Sequence, residues 1–196
     1  MYAENRNSQA VLSKRLICEG LRTLLETESF EDITVTQVCQ EARVARKTFY
    51  RHFDRKADAL EYELDAMFRG FLENRELRGE SLETLLSETF DYARDHGDFL
   101  RLLRDKDLFH LVQSSYARTL PGTLAAHAGT RGTQSDDLGA TEPYIVNFIA
   151  SAFCSVLSLW VEHDFRETTG WLAGITAMFL RGLGRHLGGE GGPNAE

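Results

Sequence analysis

The sequence predicts an all-α fold, and three observations carry that prediction. The 26 leucines outnumber the 13 valines and isoleucines together, and an excess of unbranched over β-branched side chains favours helix. Only three prolines occur in 196 residues, well under the usual ~5%. Apolar residues recur three and four apart along most of the chain. With 42% hydrophobic and 27% charged residues, disordered and collagen-like classes are excluded. The length suffices for one or two domains with a sizeable core.

The first helix is predicted from Asn7 or Ser8, good N-caps, to about Thr27. Leu12, Leu16, Ile17, Leu21, Leu24 and Leu25 form its apolar stripe. Phe30 and Ile33, in the link that follows, are expected to plug into the same small core. Thr34 and Gln37 read as a capping box that opens a short helix, Val35–Ala42. After a turn of about three residues comes a second short helix, Arg46–Phe53, and then a long one from near Asp54 to about residue 78. Two short helices joined by a tight turn, behind a longer helix, make a helix-turn-helix.

Charge gives this unit a purpose. The chain carries −8 overall, yet Ala42–Lys56 holds Arg43, Arg46, Lys47, Arg51, Arg55 and Lys56 against Asp54 alone. Such a cluster fits either a solvated helix face or a phosphate-binding surface. The second short helix mixes core-type Phe49 and Phe53 with Arg46, Lys47, Thr48, Tyr50, Arg51 and His52. A recognition helix needs that division, one face anchored and the other reaching base edges and phosphates. Lys56 falls in the first turn of the next helix, where a cation opposes the dipole; a nearby phosphate would account for it.

The stretch Ile33–Leu60, with its Thr48-Phe-Tyr-Arg-His-Phe53 core and the following Lys56-Ala-Asp-Ala-Leu60, resembles the DNA-binding signature of TetR-type transcriptional regulators. The resemblance covers about residues 8–70. It implies DNA contact by Thr36, Arg46, Lys47, Thr48, Tyr50, His52 and Lys56, with Tyr50 and Lys56 at phosphate positions and Arg46, Lys47 and Thr48 where bases are read. Arg43 and Arg51 join the set by charge. The chain departs from the family in having Arg43 where Gly is usual in the turn and Ala45 where Ser usually caps the recognition helix. Arg at a position favouring φ > 0 predicts strain, and Ala is a poor cap.

Further along, Ser81 or Glu80 is expected to open a helix through about His96, and Asp98 to cap another. A third, from Asp107, should break at Pro121-Gly122, and Gly129–Ala140 reads as a loop. Tyr144–His163, after Pro143, is apolar on nearly all sides, and Thr168 or Thr169 caps the last helix, with Trp171, Leu172, Ile175, Phe179 and Leu183 in register. These two helices are expected to pair with their copies in a dimer. Ala152, Ser155 and Ser158 would allow close approach there, with Phe153, Trp160 and Phe179 supplying area. They also resemble a C-terminal type found in some TetR-like regulators, among them an activator of dihydroxyacetone utilisation that works with a protein co-activator.

No nucleophile elbow, P-loop or zinc-protease motif occurs, so an enzyme is not expected. Cys18, Cys39 and Cys154 are odd in number with no C-x-x-C, and read as buried reduced thiols, not metal ligands. The first ten residues hold no apolar signal region, and the 17-residue run Ile145–Val161 includes Asn147 and three serines. Cytoplasmic location with no membrane partner and no cofactor follows as the expectation. The complete reading is a helix-turn-helix DNA-binding domain over 1–56 and a helical effector-binding and dimerisation domain over 57–196. It is expected to act on a palindromic operator as a homodimeric repressor or, alternatively, as a helical protein-interaction regulator or co-activator-dependent activator with weakened DNA binding. The effector is an apolar small molecule or a protein, near Phe109, Tyr116, Phe148 and Trp171.

Overall fold

Helices make up every regular element in the computed structural model, which describes residues 2–73, 81–131 and 142–187. They are α1 (Tyr2–Thr27), α2 (Val35–Glu41), α3 (Arg46–His52), α4 (Lys56–Glu73), α5 (Leu82–Asp95), α6 (Gly97–Asp105), α7 (Phe109–Arg131), α8 (Glu142–Glu162) and α9 (Thr169–Leu187). The chain divides into two compact units, residues 1–73 with 101–119 and residues 74–100 with 120–196.

In the first unit α1 packs on α2, α3 and α4. Ile17, Leu21 and Leu25 of α1 are fully buried with Ile33, Val38, Phe49, Leu60 and Leu64. Each such side chain contributes about 1.5–3 kcal/mol on leaving water. α1 begins at Tyr2, ahead of the expected Asn7 or Ser8, because Ala3 and Glu4 suit a first turn. α4 begins at Lys56 and not near Asp54. The Asp58 carboxylate is what caps it, accepting from the Asp54 amide at 3.0 Å and the Arg55 amide at 2.8 Å. The 74–78 end of the predicted helix lies outside the described residues.

Three helices close in the same way. The Val44 amide donates to the Cys39 carbonyl at 3.0 Å, Leu108 to Leu103 at 2.7 Å, and Phe165 to Trp160 at 2.9 Å. Each is the outer bond of a Schellman closure that puts the preceding residue in the left-handed region. Those residues are Arg43 (φ 53), Asp107 (φ 57) and Asp164 (φ 54), none of them Gly.

In the second unit α5 and α8 both pack on α9. Phe90 is its centre, with the rings of Phe153 at 5.1 Å and Trp160 at 5.6 Å. The Trp160 indole N–H donates to the Glu167 carbonyl at 3.0 Å, so the one polar atom of a buried side chain is met. Ser81 caps α5 by accepting from the Thr84 amide, and Thr168 accepts from the Trp171 amide at the start of α9.

Several expectations need correction. α6 starts at Gly97, one residue before Asp98, since the His96 carbonyl already accepts from Phe99 and Leu100. α7 runs through Pro121 without a break, although an interior proline forfeits one amide donor and crowds the carbonyl four residues back. Gly129–Arg131 are accordingly helical, while 132–140 of the predicted loop lies outside the described residues. Phe153 and Trp160, expected at a dimer interface, are core. Trp171, expected in the apolar register of α9, is 57% exposed, because Leu172, Ala173, Thr176 and Ala177 face inward instead, while Phe179, expected at a dimer interface, is 67% exposed. α8 is long and apolar enough to cross a membrane by length and composition, yet Val146, Ala150, Phe153, Leu157 and Trp160 are buried.

Candidate nucleic-acid interface

The helix-turn-helix is assembled from local chemistry. The Thr34 hydroxyl accepts from the Gln37 amide at 3.2 Å, while the Gln37 side-chain carbonyl accepts from the Thr34 amide at 2.8 Å. This is the predicted capping box, and it satisfies two donors at the start of α2. The α2–α3 turn is the Schellman closure at Arg43, so the strain foreseen for that residue is present as a positive φ. Ala45 stands as N-cap of α3 with extended backbone and no side-chain cap.

Two faces of α3 do different work. Phe49 is fully buried and Phe53 nearly so, and the two rings lie 5.9 Å apart with Tyr62 a further 5.8 Å from Phe53. Aromatic anchoring of this kind fixes both rotation and depth of a helix of only seven residues. Arg46, Lys47, Tyr50 and Arg51 are exposed, as are Arg43 in the turn and Thr36 on α2; Thr48 and His52 are half-buried. The Arg46 guanidinium sits 6.0 Å from the Tyr50 ring centroid, which pre-orders both side chains. Burial, then the nearby Arg51 and Lys14 cations, hold His52 below the usual histidine range, and its Nε2 is buried without a hydrogen-bond partner.

Lys56 turns away from that exposed set. Its ammonium donates to the backbone carbonyls of Phe30, Glu31 and Ile33. Eight of the nine sequence-derived positions thus lie on or beside the outer surface of the helix-turn-helix, and the ninth is engaged internally. Sequence reasoning missed Asp58, although an Asp in a first turn is a recognisable signal. It also missed Lys106, whose Nζ donates to the Glu28 carbonyl at 3.0 Å; no local pattern announces an interaction across 78 residues.

The four residues expected to meet an effector are not drawn together within either unit. Phe109 is half-buried, and Tyr116 packs on Phe68 with ring centroids 5.2 Å apart in the first unit. Phe148 and Trp171, in the second, are 52% and 57% exposed. Among the described residues no cluster of three or more metal-ligating side chains occurs. Cys18, Cys39 and Cys154 are buried free thiols, and burial pushes Cys18 and Cys154 up to about 12, which makes them unreactive.

Residues 17–62 match the family model of bacterial regulatory proteins, tetR family. The chain is 20% identical over 151 residues to the HTH-type dhaKLM operon transcriptional activator DhaS of Lactococcus lactis subsp. lactis (strain IL1403), covering 76% of this chain and 79% of that relative. Among solved structures it is similar to a TetR transcriptional regulator from Streptococcus agalactiae 2603V, with TM-score 0.56 and 21% identity over 90% of this chain and 98% of the other. It is likewise similar to the dihydroxyacetone kinase operon activator DhaS, with TM-score 0.54 and 16% identity over 88% and 96%. Members of this family are transcriptional regulators and not enzymes. Residues 17–62 thus match the DNA-binding segment of the tetR family of bacterial regulatory proteins, and the fold of the chain is similar to that of TetR-type transcriptional regulators.

Proposed function

We propose that the chain binds a palindromic DNA operator as a homodimer, with α3 lying in the major groove. The observation that carries this is the division of α3, where Phe49 is fully buried while Arg46, Lys47, Tyr50 and Arg51 are exposed. Arg46, Lys47 and Thr48 are then the base-reading side chains, and Arg43, Tyr50, Arg51 and Thr36 hold phosphates or set register. Residues 1–56 form the reading domain, and 57–196 the domain for dimerisation and effector binding. The setting is the cytoplasm, where DNA and reduced thiols occur together.

A second copy is the occupant proposed for the exposed apolar face of α8 and α9. Tyr144, Phe148 and Leu159 of α8 and Trp171, Met178 and Phe179 of α9 are all at least 52% exposed. So many large apolar side chains on two neighbouring helices are more than a monomer ordinarily leaves in water. Ser155 lies among them, exposed and small, which supports close approach of two helices. Ser155→Arg should give monomers by light scattering, and a monomeric wild type would contradict the assembly.

The direction of control has two readings. A repressor blocks the promoter it covers; an activator recruits transcription, and the relative named DhaS is an activator. Selecting duplexes from a random library and testing the enriched site in a reporter separates them. Enrichment of a two-fold symmetric site supports the function, and a library without enrichment contradicts it. A rise or fall of reporter output then gives the sign. An apolar or protein effector is supported by the exposed aromatics and tested by loss or gain of operator affinity on its addition.

A further inference from the structure

Lys56 and Lys106 come from distant parts of the sequence and act on one short segment. The Lys56 ammonium donates to the carbonyls of Phe30, of Glu31 at 3.2 Å and of Ile33 at 2.6 Å. It also lies 4.4 Å from the Phe30 ring centroid. An ammonium has three N–H donors, and the main chain meets all of them. The segment links α1 to α2 outside any helix, so its carbonyls have no regular ladder to join.

Lys106 reaches the same segment through the Glu28 carbonyl, at 3.0 Å. Its own backbone is fixed by the closure of α6, where Asp107 is left-handed and the Leu108 amide returns to Leu103. The Glu28 carboxylate in turn accepts from the Gln37 side-chain amide at 2.9 Å, and Gln37 closes the capping box with Thr34. A continuous run of polar contacts therefore leads from Lys106, through Glu28, to the first turn of α2.

We infer that Lys56 and Lys106 form a clasp on the main-chain carbonyls of residues 28–33, and that they set the placement of α2, and with it the DNA-reading helix, as positioning residues and not as phosphate contacts. The consequence for DNA rests on the function proposed above; the clasp itself does not. Swinging Lys56 out to a phosphate would strand three carbonyls. It would exchange three charge-assisted bonds in a partly dry site for one at a salt-screened surface. Burial lowers the Lys56 pKa, and the Glu31 and Asp32 carboxylates oppose that fall, as suits a cation held inside the fold.

Lys56→Met and Lys106→Met keep the apolar stem and remove the donors. In the full chain, amides of residues 28–41 should exchange with deuterium about tenfold faster in either variant, through local opening. Affinity for the library-selected duplex should fall by the same factor, about threefold or more, at every salt concentration, with the slope of log affinity against log salt unchanged. Arg51→Ala, which removes one proposed phosphate contact from each protomer of the dimer, should instead reduce that slope by about 1.8. A slope reduced by that amount in Lys56→Met would make Lys56 a phosphate contact and overturn the inference. So would unchanged exchange in both variants. Lys106→Arg, which retains a donor of similar reach, should restore wild-type exchange; failure to do so with Lys106→Met perturbed would point to disturbed stem packing and also count against the clasp. If the wild type binds no duplex, the DNA-binding reading fails, while exchange still decides whether the clasp exists.

Discussion

Gly20 lies directly against the backbone of Ala42, so close that a Cβ at residue 20 would meet the Ala42 nitrogen at 2.9 Å and its Cβ at 3.2 Å. A helix-interior Gly ordinarily costs up to about 1 kcal/mol relative to Ala. Here it allows α1 to touch the end of α2 where the helix-turn-helix turn begins. Backbone cannot give way as a flexible side chain can, and overpacking costs about 1–3 kcal/mol. Gly20→Ala should therefore lower stability by about 1–2 kcal/mol net, read by urea denaturation. An unchanged or raised midpoint would show that α2 is not fixed by this close approach.

Arg43 sets stability against binding. Its φ of 53 is a conformation that Gly adopts freely and other L-residues adopt at about 1–2 kcal/mol. Arg43→Gly should raise stability by about 1 kcal/mol. The same change removes an exposed cation from the proposed DNA surface, so affinity should fall while stability rises. Thermal denaturation and duplex titration on one preparation check both signs.

Asp58 caps α4 from within its first turn, accepting from two amides and, at 2.8 Å, from the Arg55 guanidinium. Burial raises its pKa, but those hydrogen bonds and the Arg55 charge outweigh burial and hold it below the usual value of 3.8. A depressed folded pKa means stability that is present above the unfolded value and lost as pH falls through the folded one. Asp58→Ala should cost about 0.5–2 kcal/mol at pH 7. The difference from wild type should vanish on acidification below the ordinary Asp range, as a denaturation series from pH 7 to about pH 2 would record.

Asp65 serves two partners on α7. It accepts from the buried Ser115 hydroxyl and, at 2.9 Å, from Arg118, which also meets Glu61 at 3.2 Å. Exposed ion pairs count for little, and the Arg118 side chain is 44% exposed. The Ser115 hydroxyl is fully buried and would be left without its acceptor. Asp65→Ala should cost about 1–3 kcal/mol for that reason, whereas Arg118→Ala should cost under about 1 kcal/mol. Equal losses would place the energy in the ion pair.

The sequence was most legible where structure is local. The Thr34–Gln37 box, the Ser81 and Thr168 caps and the positive φ at Arg43 each depend on residues within a few positions of one another. So does the division of α3, because Phe49 and Phe53 are one turn apart. Contacts between distant residues were not legible. Lys56 carries the charge and position of a phosphate contact, and only the folded path of residues 28–33 turns it inward. Trp171 and Phe179 share a helical stripe with Leu172 and Ile175, but hydrophobicity alone does not say which edge of a wide stripe meets the core and which remains outside. Pro121 reads as a break because an interior proline costs about 3 kcal/mol or more and its neighbour is Gly, yet α7 continues through it.

The most direct test is binding of the library-selected duplex across a salt series, comparing wild type with the Arg46→Ala, Lys47→Ala double variant. Two exposed cations on the outer face of α3 predict a steep wild-type salt dependence. In the double variant affinity should fall, and discrimination against mismatched sites should fall by about 1–3 kcal/mol for each base-reading side chain removed. Unchanged affinity and discrimination in a double variant that folds as wild type does would contradict the assignment of α3 as the DNA-reading helix.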